Sequence, residues 1–370
     1  MVRVIKPIAE VMRQRPGMYV GYLDERGANH LAFELVANAI DLCLAGEASV
    51  IRIRMDGATF TIEDDGPGIP VHTSEDSGLP ALTEIFTQYH NRGTWDGHFP
   101  HVHCGRLHGL GVFAVSAFST TLVVTTRRDN QTFRQSFSQG LATSPLVPVS
   151  NDTVTNGTHI EFTLDPEIFG EHGFGVDAFR RVLQDQAHLN AGVRLVLNDE
   201  CFHAPEGLKN EVRDRATALD ATPECVFHFA HTMVVDLSIG DDRQRGAVAL
   251  EAAVTWVNEM PSPAIRSFVS CLETRDGGTH EQGLRSAIID AVRACVFDGQ
   301  RCSSDALLEG VVAAVHVLHL SPEFGNPTKD RLQSPECETL VRETTGPALI
   351  AWLRDHPTFL SWLSARQRCD

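Results

Sequence analysis

From His30 to Ala45 the apolar residues Leu31, Phe33, Leu35, Val36, Ile40 and Leu44 recur at helical spacing, and Gly46 follows as a stop. The pattern predicts a helix with one buried face. Two short alternating stretches come next, Val50 to Met55 and Thr59 to Glu63, divided by Asp56-Gly57, a strong hairpin signal. The alternation breaks at Asp64-Asp65-Gly66-Pro67-Gly68-Ile69-Pro70. A helix is expected from about Leu79 to Gln88, then a long functional loop rich in Gly, His and aromatic residues from His90 to His108. After the loop, Gly109 to Phe118 reads as helix, and Thr121 to Thr126, Thr132 to Phe137 and Thr158 to Leu164 read as strands. A helix from about Val176 to His188 precedes a strand from Val193 to Leu197. Such a mixture predicts an α/β sandwich with one helical layer on a mostly antiparallel sheet.

Near Pro205-Glu206-Gly207 the composition turns polar and the pattern restarts, which sets a domain boundary between 1–205 and 206–370. The second half opens with a helix near Leu208 and two long strand-like stretches, Cys225 to Leu237 and Ala247 to Val257. Helix from His280 to about Val296, strand from Val311 to Leu320 and helix from about Pro335 to Leu353 complete an α+β chain.

A length of 370 residues allows two domains, each with its own core, and 42% apolar with 21% charged residues is ordinary for a globular protein. No apolar run reaches the roughly 18 residues of a membrane span, and Met1 to Glu10 lacks the apolar centre of a signal peptide. A cytoplasmic protein without membrane contact is the expectation. Nine scattered cysteines, with no CxxC pair, suggest reduced thiols. A net charge of −17 argues against a surface that wraps DNA, so any nucleic-acid role is indirect or local. Lysine occurs only at Lys6, Lys209 and Lys329.

Three segments carry candidate chemistry. Glu34, Asn38 and Asp41 lie at i, i+4 and i+7 of the first helix and share one face. A carboxylate beside a bound nucleotide can orient or deprotonate water, and a neighbouring oxygen donor can hold Mg²⁺. Solvated or capping carboxylates explain the same spacing. Asp64 to Pro70 sets carboxylates before a glycine turn at a strand end, where backbone can approach a flat base and an Asp can accept from an amino group. A tight acidic turn reads equally well, and the later ligands of an EF-hand are missing. Gly105-Arg106-Leu107-His108-Gly109-Leu110-Gly111 places glycines at a helix entrance, an anion site suited to phosphates or simply a packing device, and no Gly-Lys-Ser/Thr follows to make a Walker loop.

In order, Glu-x-x-x-Asn-Ala-x-Asp, Asp-x-Gly-x-Gly-Ile, a glycine-rich lid and Gly157-Thr158 resemble the nucleotide fold shared by gyrase, Hsp90, MutL and histidine kinases. Arg15-Pro16-Gly17-Met18-Tyr19-Val20-Gly21, Phe33 to Asp41, Leu44-Ala45-Gly46 and Leu107 to Val112 narrow the resemblance to the B subunits of gyrase and topoisomerase IV. Arg275-Asp276-Gly277-Gly278-Thr279-His280 and Pro327-Thr328-Lys329-Asp330-Arg331-Leu332 resemble the transducer domain of that family. The implied fold is a Bergerat-type ATPase domain followed by a ribosomal-S5-like transducer.

The resemblance implies Glu34 as the base that activates water and Asn38 as the Mg²⁺ ligand, with Asp41 beside them. Asp64 would receive the adenine amino group, with Gly68, Ile69 and Thr158 completing the base pocket. Gly105, Leu107, His108, Gly109, Leu110 and Gly111 would present backbone groups to the phosphates, and Lys329 would reach the γ-phosphate. ATP and Mg²⁺ are the implied cofactors. Implied partners are a second copy in an ATP-dependent homodimer, a separate topoisomerase cleavage subunit, and DNA held indirectly through the clamp.

Departures from the family pattern are Ala37 for Asp, Leu42 for Glu, Pro67 for Arg and Pro327 for Gln. Leu42 and Pro67 together remove an ion pair without stranding one charge. Pro327 cannot donate an amide hydrogen bond, which predicts slow hydrolysis. The lid's only fixed cations are Arg92 and Arg106, and the short N-terminal arm predicts weaker dimerisation. His90, His98, His101, His103 and His108 with Cys104 fit no ordinary zinc spacing and read as solvated loop residues. No Glu-Gly-Asp-Ser stretch or Asp-x-Asp pair is present, so DNA cleavage is expected to need another module. Two readings follow: an ATP-operated topoisomerase gate, or a stand-alone ATPase or nucleotide-binding regulator.

Overall fold

The computed structural model describes residues 8–75, 77–88, 110–150, 156–219, 225–239, 242–258, 260, 262–297, 302–319, 322–326 and 329–366. The chain divides into two compact units between Ala204 and Pro205.

The first unit begins with α1 (Ile8–Gln14), α2 (Gly17–Val20) and α3 (Glu25–Leu44), continues with β1 (Val50–Asp56), β2 (Thr59–Asp64), α4 (Ala81–Thr87) and α5 (Gly111–Ala117), and then β3 (Ser119–Arg128), β4 (Gln131–Ser138), β5 (Leu141–Ala142), β6 (Val147–Val149) and β7 (Gly157–Leu164). It closes with α6 (Pro166–Phe169), α7 (Val176–Leu189), β8 (Arg194–Leu197) and β9 (Glu200–His203). The strands form one sheet in the order β5-β4-β3-β7-β2-β1-β8-β9, with β6 on β4. Among these described strands only β1 and β8 are parallel, and they can be so because α7 lies in the connection that returns the chain. β1 shows why one face is covered: Ile51, Ile53 and Met55 are buried while Arg52 and Arg54 face out. Phe60, Phe162, Phe174 and Phe179 fill the core beneath.

Helix α3 starts earlier than its apolar spacing suggests. Asp24 caps it by accepting from the Arg26 amide at 2.9 Å and holds the Arg26 guanidinium at 2.7 Å. Leu31, Ala32, Leu35, Val36, Ala39 and Ile40 then bury one stripe of the helix.

The second unit runs α8 (Leu208–Ala218), β10 (Phe227–Ile239), β11 (Asp242–Trp256), β12 (Ala264–Val269), β13 (Leu272–Glu273), α9 (Thr279–Cys295), α10 (Ser304–Leu307), β14 (Val311–Leu318), α11 (Pro335–Asp355) and α12 (Pro357–Arg366). Its sheet order is β10-β11-β14-β12-β13. β12 and β14 are parallel neighbours, with α9 in the crossover between them. Val311 to Val317 are buried without alternation, the pattern of a central strand covered on both faces. Phe227, Trp256, Trp352 and Phe359 pack ring to ring and tie α11 and α12 to the sheet. Buried Glu211 is met by Arg266 at 3.3 Å and Arg215 at 3.6 Å.

Cys43, Cys201, Cys225, Cys271, Cys295 and Cys337 are free thiols, whereas Cys302 is disulfide-bonded, which corrects the expectation of reduced thiols throughout. Pairing depends on spatial approach and not on spacing along the chain. No helix among the described residues is long and apolar enough to cross a membrane.

Candidate nucleotide site

Glu34 is buried on α3, 7% exposed, an expensive position for a carboxylate that lacks a purpose. The Nε2 atom of His30, one turn earlier, lies 3.5 Å from its Oε1. His30 is a neighbour that motif reading misses, although its i−4 spacing on the same helix face is the available signal. Asn38 and Asp41 follow along α3, both half-buried.

The first residue of α5 sits against this carboxylate. A Cβ on Gly111 would stand 2.7 Å from Cδ of Glu34 and overlap its Oε2. Glycine is therefore required by close approach and not by a turn. Leu110, just before it, is half-buried against the core. Gly105, Leu107, His108 and Gly109 lie outside the described residues, as do Arg92, Arg106 and the loop histidines His90, His98, His101 and His103 with Cys104.

Asp64 ends β2 and is 8% exposed. Burial pushes its carboxyl up to about 6, against the pull of hydrogen bonds from the Gly66 amide and from the backbone and hydroxyl of Thr158. Thr158, buried on β7, is its direct cross-strand partner. Asp65 behaves differently. Its partial burial is outweighed by hydrogen bonds from Ser49 and Val50, which hold its carboxyl below the usual range. It fastens the start of β1, whereas Asp64 faces inward.

The turn after Asp64 is shaped by two close approaches. At Gly66 a Cβ would meet Asp64 Oδ1 at 2.9 Å and Leu42 Cδ1 at 3.1 Å, so the end of α3 adjoins this turn. Gly68 has φ +79°, and a Cβ there would lie 2.5 Å from the Arg127 carbonyl oxygen. Thr126 Oγ1 donates to the Ile69 carbonyl at 3.0 Å, and Arg128 Nη1 to the Gly68 carbonyl at 3.1 Å, fixing Gly68 and Ile69 against β3. Neither Thr126 nor Arg128 carries a sequence signal, because both act through a strand pairing that spacing does not reveal.

In the second unit, Lys329 is half-buried and has φ +60°, a strained value for a side chain of its size. Its amide donates to the Asn326 carbonyl at 3.1 Å, and its Nζ lies 5.8 Å from the Phe324 ring centre. Asp276 N–H donates to the Asp330 carbonyl at 2.9 Å, and Leu332 N–H to the Gly277 carbonyl at 3.1 Å. The two transducer-like motifs are thus bonded to each other. Gly278, φ +141°, permits this, since a Cβ would stand 2.6 Å from the Leu332 amide nitrogen. Pro327 and Thr328 lie outside the described residues.

Residues 23–168 match the family model described as histidine kinase-, DNA gyrase B- and HSP90-like ATPase, and residues 207–366 match that described as DNA gyrase B. The DNA gyrase B protein of Mycolicibacterium smegmatis is 32% identical over 383 residues, covering 94% of this chain and 56% of the relative. Its Rickettsia felis counterpart is 30% identical over 365 residues, covering 96% of this chain and 44% of the relative. The chain therefore spans about half the length of the curated relatives it matches. The 43K ATPase domain of Thermus thermophilus gyrase B, solved with an aminocoumarin, matches with a TM-score of 0.77 at 29% identity, over 97% of this chain and 94% of that one. The topoisomerase IV ATP-binding domain of Francisella tularensis, at 23% identity and a TM-score of 0.71, shares the fold over 98% of this chain and 96% of that one. With the ATPase match followed by the gyrase B match, and a Bergerat-type sandwich followed by an α/β transducer, the chain belongs to the DNA gyrase B family, as its ATPase and transducer region.

Proposed function

We propose that the first unit binds ATP with Mg²⁺ and hydrolyses it, and that the chain serves as the ATP-operated gate of a gyrase B-like type II topoisomerase whose DNA-cleaving module lies elsewhere. One observation supports this most: segments far apart in sequence converge, Gly111 on Glu34, Gly66 on Leu42 and Asp64 on Thr158. A hydrolytic nucleotide site needs a base, a helix entrance and a base-reading carboxylate on one surface.

In this reading Glu34 takes the proton of the attacking water, and His30 orients its carboxylate. Asp64, as carboxylate, accepts from the adenine amino group, while Gly68, Ile69 and Thr158 shape the wall of the pocket. The backbone from Gly105 to Gly111 faces the phosphates. The half-buried amide of Asn38, on the same helix face as Glu34, supplies the hard oxygen donor that suits Mg²⁺, with Asp41 nearby. Bound there, Mg²⁺ would neutralise charge on the phosphate oxygens. Lys329 supplies a cation to the γ-phosphate. Leu42 adjoins Gly66 as an apolar neighbour, where the family's rim ion pair would begin.

A homodimer formed on ATP, a separate cleavage subunit, DNA engaged through the clamp and a cytoplasmic location complete the proposal. Calorimetric titration with a non-hydrolysable ATP analogue and Mg²⁺ tests its base. Saturable heat with a matching thermal shift is expected, and absence of both overturns it. Nucleotide-dependent strand passage on adding a cleavage subunit separates the gate from a stand-alone ATPase or regulator.

A further inference from the structure

Strand β14 ends at Leu318, and the next residue, His319, has a side chain only 1% exposed. Helix α11 begins at Pro335, so Glu336 and Cys337 lie in its first turn. His319 Nε2 is 3.0 Å from Glu336 Oε1, and one ligand atom from each of His319, Glu336 and Cys337 lies within 4.8 Å of the other two. Cys337 is fully buried and Glu336 is nearly half exposed. An imidazole, a carboxylate and a thiol thus meet where two chain segments enter and leave the loop that carries Lys329.

We propose that His319, Glu336 and Cys337 bind one zinc-like divalent cation, which clips together the two ends of the Lys329 segment. The donor set decides the class of ion. Nitrogen with sulfur suits zinc and its borderline neighbours, whereas magnesium and calcium prefer oxygen alone. A thiolate and a carboxylate cancel the charge of a dication, so the loaded site is neutral, as a largely buried position requires. Binding forms a sulfur–metal bond and breaks the Sγ–H bond, and the proton leaves to solvent with no electron transferred. The exposed side of Glu336 gives the ion its entry path and leaves room for a water as fourth ligand. The site stands apart from the nucleotide reading and does not depend on it.

The test uses the full chain, stripped with a chelator and titrated with zinc chloride and with cobalt chloride. One equivalent should bind, and cobalt should show a thiolate charge-transfer band. Cys337→Ser and His319→Gln should each abolish that band, and Glu336→Gln, at an exposed helix start that leaves the fold intact, should weaken zinc by at least about tenfold. Zinc should also slow hydrogen exchange in residues 322–334 of wild type and not of Cys337→Ser. No binding by the stripped wild type, or a cobalt band that survives Cys337→Ser with melting unchanged, overturns the proposal. The latter result would assign the ion to another cysteine of the chain.

Discussion

Gly111 and Glu34 cannot be changed independently: the space a Cβ on Gly111 would need is occupied by the Glu34 carboxylate. Gly111→Ala should therefore push the carboxylate aside while leaving α5 formed, since alanine favours helix. A positioned general base contributes typically ~10²–10⁴-fold to rate, so ATP hydrolysis should fall by about 10²-fold or more. Steady-state hydrolysis with a parallel thermal melt decides this. Unchanged turnover in a folded Gly111→Ala protein would mean that Glu34 is not the base.

In the proposed site, Asp64 should set the pH range of nucleotide binding. Its carboxyl, pushed up to about 6 by burial, is ionised at pH 7 and protonated below pH 6. Adenine nucleotides should bind more weakly as pH falls from 7 to 5, by at most about tenfold per unit. Stability moves the opposite way. The folded state holds this proton more tightly than the unfolded one, so Asp64 costs stability as pH rises through about 6. Asp64→Asn should weaken adenine more than guanine nucleotides and flatten the pH dependence. Calorimetry across pH checks it, and equal loss for both bases counts against the pocket.

His280 should make the transducer acid-sensitive. It is fully buried, its Nε2 lies 3.1 Å from Thr274 Oγ1, and burial, with the nearby His316, lowers it to about 3. Between about pH 6.5 and 3 the unfolded chain binds a proton there that the folded chain refuses. Stability is therefore lost as pH falls below about 6.5, at up to ~1.4 kcal/mol per unit from this group. Urea unfolding of wild type and His280→Gln at pH 7 and pH 5 should show a smaller acid loss in the variant. Equal losses would place the sensitivity elsewhere.

Much of this architecture is legible in the residues themselves. The stripe from Leu31 to Ile40 and the Asp56-Gly57 hairpin appear where their spacing puts them, because local geometry decides both. Strand β12 has no such signature: Ala264 to Val269 mixes Arg266 and Ser267 into a short run, and only its parallel pairing with β14 makes it a strand. Helix α1 is equally hidden. It is anchored by Arg13, which reaches buried Asp165 at 2.7 Å and the Ala117 carbonyl at 2.9 Å, contacts invisible to any local pattern. The site divides in the same way. Glu34, Asn38 and Asp64 are legible as residue types in motifs, whereas the support from His30, Thr126 and Arg128 comes from helix facing and strand pairing.

Glu34 and Lys329 should fail in different ways. A base acts mainly in the transition state, so Glu34→Ala should abolish turnover and leave analogue binding largely intact. Lys329 belongs to the second unit, and its proposed contact with the γ-phosphate would report the bound nucleotide to the transducer. Its loop is held in one shape by Asn326, the Asp276–Asp330 and Gly277–Leu332 bonds, and a left-handed backbone at Lys329 itself. Strain kept at a loop lysine by this many bonds is what a positioned charge requires. Because Pro327 has no amide side chain to donate, Lys329 should carry more of the coupling here than a lysine that shares the task. Lys329→Ala should lower both hydrolysis and analogue-driven dimerisation, and Lys329→Arg should restore part of each by keeping the charge. Hydrolysis rates and light scattering on wild type and the variants separate the two roles. If Lys329→Ala dimerises and hydrolyses as wild type does, the strained loop has another purpose, and ATP must signal to the transducer through a different residue.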